Sequence, residues 1–455
     1  MKKSLLFLSL LMICALVLFT GCDGLLGGKD GGSLTNVGSF EVKDDSGETM
    51  TYTNESDEAL LKVFIAAGMA EEGDQTSKYE DQFAGIKEYL DQAKITEDQL
   101  VALATLIEEN SDIADIILSN IGGDDDAPDM TAEKIKKVLE FYKAAMGIIG
   151  NDAVGKLLYN MALKESEGDA EAIAAIEAVG YENFVITSRV VLSIINSIIF
   201  SIDSADVDVI APLIIEEKEP TNAEAVQLAK IAADAIGSIK LSDDVWEQYF
   251  AIVVAQMDDA AQLSSNENYP EEAKDAAKAI LEFLGKYMNT NLGFIKEALN
   301  KVDESFVEVA TKSKYDKDEW DNETYTFVTK YYIDDVEVTE EEYRKLEKQQ
   351  MTTLFGLFVK TYKGSTNAVK TKFEAEVVDV LTALNAVAKE EITEEYVYEG
   401  EISTFADVIS KLEELSNLNY ATLTLAEVEE ALNNGLPIVM QYIGSKAPYL
   451  FYQMQ

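Results

Sequence analysis

The chain lacks histidine and has almost no cysteine. Its 455 residues include no histidine and only two cysteines, Cys14 and Cys22. The absence of histidine excludes histidine-dependent hydrolase triads and the imidazole ligands of most zinc and iron sites. Because both cysteines lie near the N-terminus, the body of the chain has no thiol nucleophile, disulfide or cysteine-metal cluster. We therefore expect no catalytic residue, no bound cofactor and no metal site.

Proline, glycine and arginine are also scarce. The chain has 6 prolines and 26 glycines, and its only arginines are Arg189 and Arg344. Alanine, leucine, lysine and glutamate dominate instead, a composition that favours helices. Apolar residues make up 47% of the chain, enough to build a substantial core.

Positive charge is the other deficit. There are 84 acidic and 37 basic side chains, a formal net charge of -47. Such a surface repels phosphate backbones and anionic lipid headgroups, so we expect no nucleic-acid partner and no membrane attachment through a basic patch. The acidity either attracts cations and basic partners or keeps the protein soluble in a saline or external environment. We favour the second interpretation.

The first 21 residues have the layout of an export signal. Lys2 and Lys3 precede an apolar run from Leu5 to Phe19, which Thr20-Gly21 follows. A helix that spans a membrane needs about 20 apolar residues, and this run is shorter. The pattern therefore predicts a signal peptide rather than a permanent anchor.

The sequence "FTGC" at 19–22 resembles the lipobox of bacterial lipoproteins that signal peptidase II cleaves. Phe19 departs from the commoner leucine at that position. The resemblance implies that Cys22 carries lipid, including palmitate-type acyl chains, and becomes the first mature residue, while Cys14 is removed. It also implies a lipoprotein anchored at the bacterial cell envelope, without saying in which membrane or leaflet. An ordinary secretory signal with an unrelated cysteine is the alternative.

Residues 22–54 are predicted to be a flexible tether. The stretch "DGLLGGKDGGSLTNVGS" is rich in glycine and has no helical periodicity. A coil of about twenty residues spans roughly 25 Å. That length would hold the folded body just clear of a lipid surface.

Beyond the tether, the sequence predicts a mainly all-α protein, as a multi-helix bundle or an irregular helical array. Apolar residues recur at spacings of three and four, and about fifteen helices are indicated. Threonine followed three residues later by glutamate or glutamine is typical of a helix N-terminus. The four such pairs are Thr96/Gln99, Thr221/Glu224, Thr339/Glu342 and Thr424/Glu427.

One segment favours strands. Residues 323–338, "ETYTFVTKYYIDDVEV", are rich in β-branched and aromatic residues, and Asp334-Asp335 is a candidate turn. We expect a small β-hairpin there. A further strand is predicted at "EYVYEGEIS", residues 395–403.

We expect two domains in the body, a helical domain at 55–312 and a helical domain with the hairpin inserted at 313–455. The segments that start at Ile95 and Leu241 share a cap and an apolar run, and those that start at Ile135 and Ala277 share the letters "LEF". A weak duplication within the first domain explains the likeness. The shared constraints of amphipathic helices also explain it, and we favour that interpretation.

Residues 184–200 are the most apolar stretch of the mature chain. On a helix, Arg189, Ser193, Asn196 and Ser197 form one narrow polar stripe. The stripe either lines a ligand cavity or contacts a membrane, or it belongs to a central core helix whose polar groups meet partners inside the protein. We favour the core helix, because an arginine in mid-segment opposes a membrane span.

Two acidic clusters invite a calcium interpretation. They are "GGDDDAPD" at 122–129 and "YDKDEWDNE" at 315–323. Neither supplies the ligand positions, the glycine and the final glutamate of an EF-hand loop. We interpret both as solvated loops.

The sequence therefore predicts a lipid-anchored envelope protein with an acidic helical body. We expect a non-enzymatic binding or interaction module with a protein or small-molecule partner. A lipid-anchored solute-binding component of a transport system is the alternative, although the alternating strands and helices of known solute-binding lobes are missing.

Overall fold

The computed structural model describes residues 50–66, 69–113, 116, 131–165, 173, 176–177, 179–216, 218–259, 271–321, 326–392 and 395–454. This part of the chain contains seventeen helices and one three-stranded antiparallel sheet, which confirms the mainly all-α prediction with a small β element. Cys22, most of the tether and the acidic cluster at 122–129 lie outside the described residues.

The elements follow one another in chain order, with a short 3₁₀ turn at Thr76–Lys78 after α1. The helices are α1 (Asn54–Ala66), α2 (Glu80–Gln92), α3 (Glu97–Glu109), α4 (Ala132–Ile149), α5 (Asn151–Glu165), α6 (Tyr181–Ser201), α7 (Ser204–Ile215), α8 (Asn222–Ser238), α9 (Asp243–Asp259), α10 (Glu271–Leu299), α11 (Glu304–Ala310), α12 (Glu340–Gly364), α13 (Asn367–Glu391), α14 (Phe405–Ser416), α15 (Leu425–Gly435), α16 (Pro437–Lys446) and α17 (Pro448–Gln453). The strands are β1 (Lys314–Asp321), β2 (Thr326–Ile333) and β3 (Val336–Val338), between α11 and α12.

All four threonine caps predicted from the sequence are present. In each, the threonine hydroxyl accepts from the amide three residues on, and the glutamate or glutamine side chain accepts from the threonine amide. Thr404 with Asp407, and Asp203 with Asp206, form the same reciprocal arrangement at α14 and α7. The capping-box pattern has glutamate or glutamine at the third helical position, so the shorter aspartate there did not predict these two caps.

The chain divides into two compact units. The first comprises the described residues up to Glu219 together with Ser238–Leu241, and the second comprises Pro220–Gly237 with the chain from Ser242 onward. The sequence had placed its boundary at 312. The difference arises because α10 packs along α13, where Phe294 stacks on Phe373 with ring centroids 4.6 Å apart. Helix α10 therefore belongs with the C-terminal helices.

Each unit has its own apolar core. In the first unit, Phe64 meets Tyr79 and Phe83 edge to face at centroid distances of 5.6 and 5.2 Å. In the second unit, Phe294, Phe358 and Phe373 pack with buried residues of α12, α14 and α16. Separate cores are typical of domains that fold as separate bodies.

The predicted β-hairpin is present between β2 and β3. Asp334 and Asp335 both have positive φ angles, of 48° and 62°, as a type I′ turn requires. The acidic stretch at 315–323, expected to be a solvated loop, instead contributes its residues up to Asp321 to β1, which pairs along its length with β2. Residues 314–321 have almost no β-branched side chains, and their pairing with β2 is what holds them in a strand.

The further strand expected at residues 395–403 does not form. Residues 395–399 have no regular structure, although they carry the alternating aromatic pattern of a strand. They lie against the C-terminal helices, where the Tyr398 ring meets the Phe451 ring edge to face at 5.0 Å. The alternation therefore reflects packing on helices rather than pairing in a sheet.

Candidate functional site

The sequence offered one site residue, Cys22, and it lies outside the described residues. The lipid-anchor prediction therefore stays a prediction. The other candidate groups lie in the described part of the chain.

The polar stripe of α6 lies against the start of α5. The Arg189 guanidinium binds the Asp152 carboxylate through two nitrogens, with Nε to Oδ1 at 2.6 Å and Nη2 to Oδ2 at 3.0 Å. The Arg189 and Asp152 side chains are 38% and 58% exposed. A pair this exposed contributes little to stability, about 0.2–1 kcal/mol.

Further along the same stripe, a partly buried hydrogen-bond network joins three helices. The Tyr142 hydroxyl of α4 donates to Asn196 Oδ1 at 2.7 Å, and the Asn196 amide donates to Asn151 Oδ1 of α5. The Asn151 amide in turn donates to the Ser193 hydroxyl at 2.9 Å. These side chains satisfy one another, as the core-helix interpretation expects, and no ligand is needed to explain them.

Helix α6 is also the one described helix that is long and apolar enough to cross a membrane by length and composition. It spans Tyr181–Ser201, and its most apolar window of 18 residues has a mean hydropathy of 1.8 and is 28% buried. Leu192 and Ile199 are buried in the core cluster of the first unit with residues of α4 and α5, whereas Phe200 is 46% exposed. The helix thus has one face in the core of the first unit.

The acidic residues do not form a metal centre in the described chain. Among these residues, no group of three or more aspartates, glutamates, histidines or cysteines is arranged to hold a metal ion. Within β1, successive side chains alternate between the two faces of the sheet, which separates the carboxylates of Asp318 and Glu319.

The three-stranded sheet exposes aromatic side chains. Trp320 of β1 and Phe327 of β2 are paired in the register, and their rings meet edge to face at 5.3 Å. Trp320 is 50% and Phe327 is 70% exposed. We call this pair the aromatic tip. Trp320 packs on Phe327, but large apolar rings left in solvent are also typical of binding surfaces.

An open groove lies beside the irregular segment 395–400. It has a volume of about 570 Å³, and its lining includes the rings of Tyr396, Tyr398 and Phe451 together with Glu395 and Glu399. Small-molecule sites usually have about 300–1,000 Å³, with aromatic walls and a few polar groups. The groove has the size of such a site, although it is wide open to solvent.

Glu376 of α13 is a buried carboxyl group that sequence reasoning missed. It is 1% exposed, and neither of its oxygens accepts a hydrogen bond of normal geometry. Burial is the main cause that raises the pKa of Glu376, while the Thr290 hydroxyl of α10 and Lys372 oppose the shift. The sequence could have indicated this burial, because Glu376 lies on the same side of the helix as Phe373 and Val377, which both pack in the core.

Comparison of this chain with protein families, with curated proteins and with solved structures finds no match. Its function must therefore be inferred from its own residues.

Proposed function

We propose that the protein is a lipid-anchored, non-enzymatic interaction module of the bacterial cell envelope. Acyl chains on Cys22 hold it at a membrane, and the acidic helical body presents a binding surface to a partner. The lipobox-like "FTGC" and the glycine-rich stretch after it support the anchor. Two acyl chains or more give stable attachment, whereas a single chain is marginal.

The observation that carries the interaction role is the aromatic tip. Trp320 and Phe327 project from a sheet, whereas other large rings of the described chain, such as Phe83, Trp246 and Tyr142, are buried. Aromatic residues are enriched in the buried centres of protein interfaces, where each contributes a large contact area. An exposed aromatic pair on a regular element is therefore suited to a partner surface.

The anchor is tested by substitution of Cys22 in the full chain. We expect Cys22→Ser to remain an uncleaved precursor that incorporates no labelled palmitate, because the thiol that accepts the lipid is absent. Cys14→Ser is the matched control, since Cys14 lies within the signal and its loss should change neither cleavage nor labelling. If Cys22→Ser matures and partitions into membranes like the wild type, the lipid anchor is wrong.

A solute-binding component of a transport system is the second candidate. The groove beside residues 395–400 supports it through its volume of about 570 Å³ and its aromatic lining. Native mass spectrometry of protein released gently from envelopes tests this role. A small molecule retained by the wild type and lost in Phe451→Ala would favour solute binding, and Phe200→Ala, which removes an exposed ring elsewhere, is the control.

A further inference from the structure

β1 lies at the edge of the sheet, with β2 on one side. The Asp334 amide donates to the Ser313 carbonyl at 3.1 Å, so these two residues are joined by a backbone hydrogen bond. Bonded and non-bonded pairs alternate along an antiparallel ladder. The next opposed pair, Lys314 and Ile333, is therefore a non-bonded pair, and Lys314 turns its amide and carbonyl away from β2.

The same alternation continues along β1. Asp316, Asp318 and Trp320 follow Lys314 at every second position, so their amides and carbonyls also point to the open edge. A row of backbone groups in this orientation is a template for another extended strand. Eight residues, Lys314–Asp321, make this edge as long as an ordinary strand.

The side chains of these residues share one face of the sheet with residues of β2. Asp318 is opposite Thr329, and Trp320 is opposite Phe327. We call the set Asp316, Asp318, Trp320, Phe327 and Thr329 the acidic-aromatic face. It combines two carboxylates with two exposed rings beside an open strand edge.

Helix α12 covers only the base of this face. Tyr331, the residue opposite Asp316, packs on Tyr343 of α12 with ring centroids 5.1 Å apart. Farther from the helix, Trp320 and Phe327 are 50% and 70% exposed. The outer half of the face therefore ends in solvent, where its apolar area is not used for packing on the helices.

The carboxylates of this face lack cationic partners. In the described part of the chain, no lysine or arginine nitrogen lies within ion-pairing distance of Asp316 or Asp318, whereas the lysines of β1 are paired with glutamates. Asp318 accepts one hydrogen bond, from the Thr329 hydroxyl at 2.7 Å. The negative charge at this edge is therefore available to an incoming cation.

We propose that the open edge of β1 binds an extended, cationic segment of a partner protein as a fourth strand. Basic side chains at alternate positions lie against Asp316 and Asp318, and an apolar side chain lies against Trp320 and Phe327. Backbone hydrogen bonds to β1 supply affinity, and the alternate side chains supply specificity. This inference rests on the proposed role as an interaction module and assigns that role to one surface.

Charge complementarity favours this occupant over a second copy of the chain or a lipid surface. A second β1 edge would place its own aspartates beside these, and like charges on neighbouring strands are destabilising. An anionic lipid surface is repelled by the same carboxylates and by the net charge of -47. That net charge attracts a cationic partner and speeds its association.

The fluorescence of Trp320 provides a direct test. The chain has two tryptophans, and Trp246 is only 1% exposed, so acrylamide quenching reports mainly on Trp320. The probe is a seven-residue peptide with two lysines and a leucine at alternate positions separated by threonines, prepared in both orders. We expect it to protect Trp320 from acrylamide in full-length protein held in a nonionic detergent. A peptide with glutamate in place of lysine should give no protection.

N-methylated peptides separate strand addition from simple charge attraction without any change to the protein. Methyl groups on the set of alternate amides that face β1 remove those hydrogen bonds, and methyl groups on the other set do not. We expect one methylated set to lose most of the protection and the other to keep it. Equal binding of the two sets would overturn the proposal.

Variants then test the two aspartates. We expect Asp316→Asn with Asp318→Asn to weaken peptide binding about tenfold, since two exposed charge pairs are removed. The control is Glu88→Gln with Glu430→Gln, which changes the net charge equally at exposed positions elsewhere. Equal weakening in both double variants would overturn the proposal, because it would show attraction to the whole surface.

Failure of this inference can be told from failure of the proposed function. If Cys22 is lipidated normally but peptide binding does not depend on the aspartates or on the methyl positions, the lipid-anchored module still stands. That result would show only that β1 is not its binding edge. Specific peptide binding by a protein that is not lipid-anchored supports the edge and overturns the membrane role.

Discussion

Glu376 carries its carboxyl group in a place where the charged form is costly. It lies where α13 packs on α10, 1% exposed, one helical turn from Phe373 and without a regular hydrogen-bond partner for either oxygen. Burial removes the hydration of the carboxylate, and the contacts of Thr290 and Lys372 compensate for only part of that loss, so the neutral form is favoured and the pKa of Glu376 is raised. Asp379, one turn farther along, raises it further.

This shift predicts how stability depends on pH. The folded protein holds the Glu376 proton more tightly than the unfolded chain, so the contribution to stability is full below the ordinary glutamate pKa of about 4.3. It is lost as the pH rises from there through the raised pKa of the folded state. We therefore expect Glu376→Gln to be more stable than the wild type at pH 7, by about 1 kcal/mol, because glutamine is never charged.

Urea unfolding between about pH 5 and pH 8 measures this effect and stays above the sequence pI of about 4.2. The stability gap between Glu376→Gln and the wild type should narrow toward pH 5. Glu390→Gln, an exposed change on the same helix, should leave the urea midpoint unchanged at every pH. A gap that is constant with pH would show that Glu376 is not protonated preferentially in the folded state.

At the scale of elements, the Asn196 network holds α4, α5 and α6 together more strongly than the Arg189–Asp152 pair does. We expect Asn196→Ala to cost about 2 kcal/mol, because the buried Tyr142 hydroxyl then lacks its acceptor and the partly buried Asn151 oxygen lacks its donor. Asp152→Asn should cost less than about 1 kcal/mol, because its ion pair is exposed. Chemical denaturation of both variants gives the two values.

A double-mutant cycle controls this comparison. Tyr142→Phe removes the hydroxyl that Asn196 accepts from, so Asn196→Ala should cost less in the Tyr142→Phe protein than in the wild type. Additive losses would mean that the two side chains are not coupled, and a larger loss from Asp152→Asn than from Asn196→Ala would reverse the ranking.

The sequence predicted the elements whose signals are local. Helical periodicity and the threonine caps depend on neighbouring residues, and the Asp334-Asp335 turn depends on two. β1 was missed because its residues are mostly charged, and the ladder with β2 decides its conformation. The reverse error occurred at residues 395–403, where strand-like alternation packs on helices.

The candidate site was less predictable than the fold. The composition gave the negative charge and the lack of thiol and imidazole chemistry, but it did not show which carboxylates lie beside exposed rings. That juxtaposition needs the pairing of Trp320 with Phe327 across the hairpin. The burial of Glu376 likewise depends on α10, which is distant in sequence from α13.

For the whole molecule, the division into two units has a thermodynamic consequence. Each unit buries its own cluster of apolar residues, so each has its own reason to unfold cooperatively. Both tryptophans, Trp246 and Trp320, lie in the second unit. Their fluorescence therefore follows that unit alone, whereas far-ultraviolet circular dichroism follows the helices of both.

We expect urea unfolding of the full-length protein to show two transitions by circular dichroism, of which tryptophan fluorescence follows one. A reciprocal probe is obtained with Phe184→Trp, at a half-buried ring of the first unit, in a protein that also carries Trp246→Phe and Trp320→Phe. The fluorescence of this variant should follow the transition of the first unit. If both tryptophan probes and circular dichroism give coincident curves, the units unfold as one cooperative body, and the separate cores do not confer separate stability.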